Sequence, residues 1–344
     1  MLAHAILTSA AQAWPPFVLV AGLLLIGAVA AADGLFEAIG GRLARTRLRA
    51  RGLLLALLAL VALVTAVLNL DTSVVFLTPV LVHAARKRRL DERPFLYGSV
   101  FMANAASLLL PGSNLTNLLV LRSDPQSGAA FAVRTLPAWI AACAITAAFL
   151  AFAFRLNDSE PDNAEPPPLR LGLGAAATLA AATLVVTLPN VALPVLVVGL
   201  GATALRRLRP HLDARALEPL FALATGLGTL ARMWNGPAQL LASSSRSATT
   251  ATIAAVGSLL VNNLPAAMLF SAQPPLHPRA LLLGLDLGPN LAITGSLSAF
   301  LWLEAARGVD ANPSIATYSK LGVLLVPLTL AGTLAALVLS SHAI

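Results

Sequence analysis

Long apolar runs fill most of this chain of 344 residues, and short polar segments separate them. A helix needs about 20 mostly apolar residues to cross a bilayer. The strands of a membrane β-barrel would instead show short segments of alternating polarity, and the sequence has no such pattern. The sequence therefore predicts an all-α, polytopic membrane protein. The runs long enough to cross or enter a membrane lie at approximately 16–33, 52–85, 95–121, 131–155, 171–189, 191–205, 216–231, 247–271, 279–303 and 316–341.

Two of these runs have a polar break near the middle and are predicted to be re-entrant hairpins. The run 52–85 is too long for one span, and basic clusters flank both of its ends. Such clusters favour the cytoplasmic side, so this run should begin and end there, with its turn at 69–73. The run 247–271 should begin and end outside, with its turn at 262–265. A turn inside a membrane needs side chains that satisfy the freed backbone groups.

Each predicted hairpin is followed by a run that Gly, Pro, Asn and Ser interrupt. Pro and Gly often do no more than kink transmembrane helices, but here four interruptions are in register and all of them carry polar residues. Paired interruptions in two inverted halves indicate the substrate site of a secondary transporter. We therefore expect two inverted repeats, each with a re-entrant hairpin and a broken transmembrane helix. The interruptions lie at 103–107, 111–117, 285–290 and 294–296.

The predicted organisation follows from these features and from the basic clusters at 42–51, 86–93 and 206–215, which should all be cytoplasmic. The arginine-rich segment 37–51 is either an interfacial amphipathic helix or a plain loop. The predicted parts are an N-terminal span with this basic segment (1–51), a first repeat (52–156; hairpin 52–85, broken helix 95–121), an acidic, Pro-rich linker (157–170), connecting spans (171–231) and a second repeat (232–344; hairpin 247–271, broken helix 279–303).

Composition excludes several classes of protein. The chain is 58% hydrophobic and 11% charged, and its mean hydropathy is +0.81, which is too apolar for a soluble enzyme. The net charge of +8 comes mostly from clusters between apolar runs, so we expect membrane lipid as a partner and no nucleic acid. Cys143 stands alone, which excludes a disulfide within the chain or a multi-thiolate metal site. No cofactor and no metal are expected.

Two carboxylates stand out because they fall well inside the interrupted membrane segments. They are Asp71 and Asp286, among fifteen acidic residues. A charged carboxylate in a membrane costs about 2.5 to 3.5 kcal/mol on insertion scales, so such a group is by default a proton or cation site. The alternative is that it caps the following half-helix. We predict proton coupling by Asp286 first and by Asp71 second.

Amide and hydroxyl side chains at the same breaks are predicted to bind the substrate. Asn, Ser and Thr both donate and accept hydrogen bonds, and the N-termini of half-helices add aligned backbone N–H groups. The candidate residues are Asn69, Thr72, Ser113, Asn114, Thr116, Asn262, Asn263, Asn290, Thr294 and Ser296.

Four stretches resemble the membrane subunit of the arsenical efflux pump, a family of the ion transporter superfamily. They are LNLDTSVVFLTPVLV (68–82), ANAASLLLPGSNLTNLL (103–119), LLVNNLPAAMLF (259–270) and LGLDLGPNLAITGSLSAFLWLEAARG (283–308). The resemblance implies a transporter of the cytoplasmic membrane that exports arsenite and antimonite in exchange for protons. It further implies a homodimer with an elevator-like motion and, in some members, a soluble ATPase partner. Arsenous acid is an uncharged trihydroxide at neutral pH, so hydrogen-bonding side chains suffice to bind it.

The chain also departs from this family. Many relatives have Lys where Asn290 stands, and in many the hairpin Asn is directly followed by Asp-Gly, whereas Leu70 separates Asn69 from Asp71. Relatives usually carry about one or two further spans before the position at which this chain begins. Other functions therefore stay open. They are a sodium- or proton-coupled, dicarboxylate-like anion transporter, a sodium/proton antiporter, and a scaffold or receptor that transports nothing.

Overall fold

The computed structural model describes residues 2–121, 126–157, 171–188, 190–208, 214–234 and 236–341. The predicted linker 157–170 lies outside this part apart from Asn157, as do residues 209–213 of the third basic cluster. The helices are α1 (Leu2–Ala32), α2 (Leu35–Ala44), α3 (Ala50–Val67), α4 (Leu70–Lys87), α5 (Arg93–Ala106), α6 (Leu115–Val120), α7 (Gly128–Ala153), α8 (Leu173–Thr187), α9 (Ala192–Arg206), α10 (Ala214–Met233), α11 (Gly236–Ala242), α12 (Ser247–Val261), α13 (Asn263–Phe270), α14 (Pro278–Leu287), α15 (Leu297–Arg307) and α16 (Ile315–Ser341).

Among the described residues, four helices are long and apolar enough to cross a membrane: Leu2–Ala32, Ala50–Val67, Gly128–Ala153 and Ile315–Ser340. Shorter apolar helices, such as α8, α9 and α12, accompany them. The regular secondary structure of the described residues consists of helices, which turns and loops connect. The prediction of an all-α, polytopic membrane protein is therefore confirmed.

The run 52–85 forms two antiparallel arms, α3 and α4, whose outer ends lie together. Arg88, which follows α4, is only 2% exposed. Its guanidinium donates to the carbonyl oxygens of Ala44 at 3.3 Å, Thr46 at 3.2 Å and Leu48 at 3.1 Å, just before α3 begins. This contact holds the beginning and the end of the hairpin at one end of the molecule.

The segment 37–51, for which an amphipathic helix and a loop were the two predicted alternatives, contains both. The helix α2 ends at Ala44, and the next helix begins at Ala50. Between them the chain turns, and the guanidinium of Arg88 binds the carbonyl groups of Thr46 and Leu48 in this turn. The basic segment is thus a short helix followed by a loop.

Other basic residues join nearby helix ends. Arg86 donates to the carbonyl oxygens of Val309 at 2.6 Å and Asp310 at 3.1 Å, after α15. Arg206, from the third basic cluster, pairs with Asp33 at 2.7 Å, directly after α1. These contacts connect the second basic cluster with the end of α15 and the third cluster with the end of α1.

The same order of elements occurs twice. Two arms meet at an Asn (α3–Asn69–α4 and α12–Asn262–α13), a broken helix follows, and a long helix comes next (α7 and α16). In the first broken helix, a 3₁₀ turn at Pro111–Ser113 separates α5 from α6. In the second, 3₁₀ turns at Gly288–Leu291 and Ile293–Gly295 separate α14 from α15. The opposite orientation of the two halves stays a prediction.

Small residues allow the second broken helix to lie close to its hairpin. A Cβ added at Gly284 would collide with the carbonyl oxygen of Ala251, and one at Gly288 would lie 2.6 Å from the Cα of Ala255. Close approach through small residues is the usual way in which helices pack inside membranes. The contact of Gly284 and Gly288 with α12 fixes the position of α14 along that helix, and with it the position of Asp286 near the break.

Candidate functional site

The two broken helices meet at the carboxyl group of Asp286, the residue before the last one of α14. This side chain is fully buried. Its Oδ1 accepts hydrogen bonds from Nδ2 of Asn114 at 2.9 Å and from Oγ1 of Thr116 at 2.8 Å. The contact therefore joins residues that are about 170 positions apart in the sequence.

A second contact joins the same helices in the reverse sense. Asn104 lies near the end of α5, and its Nδ2 donates to Oδ1 of Asn290 at 2.7 Å. Both side chains are fully buried. In each contact, a polar residue that precedes the break in one helix, Asp286 or Asn104, bonds to a residue within or just after the break in the other helix.

Several polar atoms around these contacts have no hydrogen-bond partner within the described part of the chain. A buried, unpaired polar group costs about 1 to 3 kcal/mol, so its presence calls for a ligand or another explanation. The unpaired atoms comprise one donor and three acceptors, which is a set suited to a small solute with several hydroxyl groups. They are Asn290 Nδ2, Asp286 Oδ2, Asn104 Oδ1 and Asn117 Oδ1.

The tip of the first hairpin packs next to the first break. Asn69 is buried and caps α4, because its Oδ1 accepts from the backbone N–H of Thr72 at 2.7 Å. The Nδ2 of Asn69 and the Oγ1 of Thr72 are unpaired. Ser113, in the first break, donates from Oγ to the carbonyl oxygen of Ala66 at 3.1 Å. Three predicted substrate residues thus lie at this junction, and two of them have free polar atoms.

Asp71 lies in a different contact from Asp286. It is half-buried, and its Oδ1 accepts a hydrogen bond from Oγ of Ser298 in α15 at 2.5 Å. The cap of α4 is Asn69 and not Asp71. The alternative that Asp71 caps the half-helix is therefore wrong, and this carboxylate instead links the first hairpin to the second broken helix.

The tip of the second hairpin is more open. Asn262 is half-buried, with a backbone φ of 75°. Its Oδ1 accepts from the N–H of Leu264 at 3.3 Å, and its Nδ2 donates to the carbonyl oxygen of Thr294 at 3.0 Å. Asn263 is buried at the start of α13. Thr294 is exposed, and it contributes its carbonyl group to this contact rather than its hydroxyl.

Ser296 and Asn114 occupy corresponding places, because each begins the second part of a broken helix in an extended conformation. Ser296 Oγ accepts from the N–H of Ala299 at 3.2 Å, and Asn114 Oδ1 accepts from the N–H of Thr116 at 3.2 Å. Both residues therefore cap a half-helix. Only Asn114 also reaches a carboxylate.

The structure adds three residues that the predicted site did not include: Asn104, Asn117 and Ser298. Asn104 and Asn117 fall inside the interrupted segments, so treating every polar residue there as a candidate would have found them. Ser298 lies in the first turn of α15 within an apolar sequence, and nothing nearby singles it out. Four of the hydrogen bonds in this site join the two halves: Asn104–Asn290, Asn114–Asp286, Thr116–Asp286 and Ser298–Asp71. Their side chains include two carboxylates and no positively charged group.

Comparisons with known proteins agree with this architecture. Residues 1–287 match the family described as CitMHS, citrate transporter. The silicon efflux transporter LSI3 of Oryza sativa subsp. japonica is 30% identical over 122 residues, which are 36% of this chain and 25% of LSI3. The YdaH transporter of Alcanivorax borkumensis has a similar fold, with a TM-score of 0.60 and 16% identity. That match covers 98% of this chain and 87% of YdaH.

These matches establish the general class of protein. The family and the structural neighbour are transporters, and the superfamily predicted from the sequence is confirmed. The arsenical pump branch within that superfamily stays a prediction.

Proposed function

We propose that this chain, which belongs to the citrate transporter (CitMHS) family, is a secondary transporter that exports arsenite and antimonite across the cytoplasmic membrane in exchange for protons. One observation carries the proposal. Asp286 is fully buried. One oxygen of its carboxyl group accepts hydrogen bonds from the amide of Asn114 and the hydroxyl of Thr116, in the other broken helix. Its second oxygen, Oδ2, accepts no hydrogen bond from any residue that the structure describes.

The chemistry of the site suits an uncharged oxyacid. Arsenous acid presents hydroxyl groups that donate and accept, and the unpaired atoms of Asn104, Asn117, Asp286 and Asn290 offer both functions. None of the side chains that bond to one another here is positively charged. Silicic acid, a hydroxyl acid that is also uncharged at neutral pH, is chemically similar. The similarity to a silicon efflux transporter therefore supports the same class of solute.

A change of protonation at Asp286 supplies the coupling. An ionised carboxylate only accepts hydrogen bonds, whereas the protonated acid has one donor. Proton uptake therefore changes which groups of a bound solute Asp286 can bond to. Hydroxyl groups of a bound solute donate to the ionised carboxylate and offset part of the cost of its charge in the membrane, and protonation removes that interaction. Solute and proton therefore occupy the group in turn. The broken helices then expose it to one side of the membrane and afterwards to the other.

The family description favours a second candidate, a transporter of citrate or a similar anion that is driven by sodium ions or protons. A tricarboxylate carries several negative charges, and burying them requires cations. The side chains that bond to one another where the two broken helices meet include no cation. An anion would therefore have to enter together with a bound cation. A sodium/proton antiporter would use Asp286 and Asp71 without an organic substrate.

The test uses everted membrane vesicles, supplied with no ATP, in which an imposed pH gradient drives uptake. Wild type, Asp286→Asn and Asp71→Asn are compared for accumulation of arsenite, silicic acid and citrate. We expect wild type to accumulate arsenite. Asp286→Asn should abolish the gradient-driven part, because an amide of the same size cannot release a proton. Asp71→Asn should have a smaller effect.

Asp91→Asn is the matched control, because Asp91 lies in a loop where its carboxylate accepts hydrogen bonds from Arg93. This control should transport like wild type. Full gradient-driven accumulation in both Asp286→Asn and Asp71→Asn would contradict the proposed coupling. Citrate uptake that depends on sodium ions, together with an absence of arsenite transport, would favour the second candidate.

A further inference from the structure

A tyrosine of the last long helix supports the second break. Tyr318, in α16, is fully buried. Its hydroxyl donates to the carbonyl oxygen of Pro289 at 3.1 Å. This carbonyl belongs to the 3₁₀ turn Gly288–Leu291, where the helical hydrogen-bond pattern ends. The next residue in the turn is Asn290, whose side chain faces Asn104.

The backbone of α16 also touches the turn directly. Gly322 lies one helical turn after Tyr318, and a Cβ added to it would collide with the carbonyl oxygen of Asn290. On the opposite side, Gly288 lies against Ala255 of α12. The turn that carries Asn290 is therefore clamped between α12 and α16, and the hydroxyl of Tyr318 fixes its position along the clamp.

Aromatic rings hold Tyr318 itself in place. Its ring centroid lies 4.8 Å from that of Phe101 and 5.5 Å from that of Trp302. Tyr97 belongs to the same cluster, at 5.6 Å from Trp302. The cluster therefore joins α5, α15 and α16. The hydroxyl of Tyr97, however, bonds to Ser314, outside the break.

The first break has a similar support. Trp139, in α7, donates from Nε1 to the carbonyl oxygen of Ala106 at 3.0 Å, where α5 ends. The helices α7 and α16 each follow a broken helix in the sequence. In both halves, an aromatic donor from the next long helix thus binds a carbonyl group at or beside the break.

We infer that Tyr318 is a positioning residue, which holds the turn of Asn290 so that the amide of Asn290 stays in contact with Asn104 and presents its Nδ2 to a small hydroxylated solute. Trp139 does the same for the first break. The inference rests on the proposed function only for the identity of the solute. The placement of Asn290 is a property of the protein alone and can be measured without transport.

Tyr318→Phe removes only the hydroxyl group, and Tyr97→Phe is the matched control within the same ring cluster. The first measurement is hydrogen exchange of the backbone amides over residues 286–296. Loss of a neutral buried hydrogen bond corresponds to about a threefold to tenfold change. Exchange in this segment should therefore become faster by about that factor in Tyr318→Phe and stay unchanged in Tyr97→Phe.

The second measurement is arsenite transport as a function of concentration. Tyr318→Phe should raise KM by about threefold to tenfold and change the maximal rate by less than about twofold, since Asp286 is intact. Equal exchange in the two variants, or an unchanged KM in Tyr318→Phe, would overturn the inference. If wild type moves no arsenite, the proposed function fails, and the exchange measurement alone still decides whether Tyr318 positions the turn.

Discussion

The two breaks are held by different means. In the first, side chains bind the freed carbonyl groups. Asn117 Nδ2 donates to the carbonyl oxygen of Ser107 at 2.8 Å, and Ser107 Oγ donates to that of Asn104 at 2.8 Å. In the second, close backbone contacts dominate, with Gly288 against α12 and Gly322 against the Asn290 carbonyl group. The first break thus relies on side-chain hydrogen bonds, whereas the second adds close backbone contacts to the hydrogen bonds from Tyr318 and Asn262.

This difference determines which changes each break tolerates. A neutral hydrogen bond contributes about 0.5 to 1.5 kcal/mol, and neighbouring groups or water can partly replace it. A backbone contact without space for a methyl group has no such replacement, because the interior is densely packed. The carboxylate belongs to the tightly packed break. The position of Asp286 should therefore be the less adjustable part of the site.

Among changes that leave Asp286 intact, the largest effect should come from adding one methyl group at the second break. Gly322→Ala forces α16 and the Asn290 carbonyl group apart, at a cost of about 1 to 3 kcal/mol. Arsenite transport should fall by up to about 100-fold. Gly112→Ala is the counterpart in the first break. A Cβ there meets the ends of the Leu19, Val185 and Leu23 side chains, at 3.4, 3.6 and 3.9 Å.

We expect Gly112→Ala to retain transport within about twofold, since contacts at such distances are ordinary van der Waals contacts. The membrane level of both variants, measured by immunoblotting, separates transport loss from lost protein. Equal transport by the two variants would show that the breaks do not differ in tightness.

Removing one amide from each half should have the next largest effect. Asn114→Ala takes a donor from Asp286, and Asn290→Ala takes the acceptor from Asn104. A partner left unpaired costs about 1 to 3 kcal/mol, so each variant should lose about tenfold to thirtyfold in arsenite transport. The control is Leu260→Ala, at a side chain that is 74% exposed. Wild-type transport by the double variant Asn114→Ala/Asn290→Ala would exclude a paired site.

A moderate effect is expected at the support of the first break. Asn117→Ala frees the carbonyl groups of Ser107 and Leu110. Because water can satisfy part of this loss, transport should fall by about threefold to tenfold. Hydrogen exchange should become faster over residues 107–114 and stay unchanged over 286–296. Faster exchange in both segments would mean that the breaks act as one unit.

The smallest effect should come from Ser298→Ala, which removes the hydrogen bond to Asp71. If Asp71 is secondary to Asp286, gradient-driven arsenite uptake should change by no more than about threefold. Thr252→Ala is a suitable control, since this exposed hydroxyl bonds only to a carbonyl group of its own helix. A loss as large as that expected for Asp286→Asn would give Asp71 the leading role in coupling.

The sequence predicts the places of the breaks but not their contacts. Asn, Asp, Gly and Pro inside apolar runs are visible without a structure, so the turns at Asn69 and Asn262 and both interrupted helices could be expected. The pairing of Asp286 with Asn114 and Thr116 joins positions about 170 residues apart, and local pattern holds no information about it.

Local rules also fail where neighbouring residues compete for one role. Asn69 and Asp71 both belong to residue types that cap helices, and only the structure shows that Asn69 does so. The supporting residues Trp139 and Tyr318 lie in unbroken apolar helices, where an aromatic side chain is ordinary. Their function depends on the carbonyl group that they meet, and that group comes from another helix.

The backbone of Asn262 limits how this chain can diverge over time. The φ of Asn262 is 75° and its ψ is 151°, a combination that residues other than Gly rarely adopt. Side chains branched at Cβ are effectively barred from this position. Drift at the second tip should therefore be confined to Asn and Gly, even in distant descendants whose apolar helices have been replaced almost entirely. A composition restricted to these two residues there would mark the same tip in sequences too different to align by their helices.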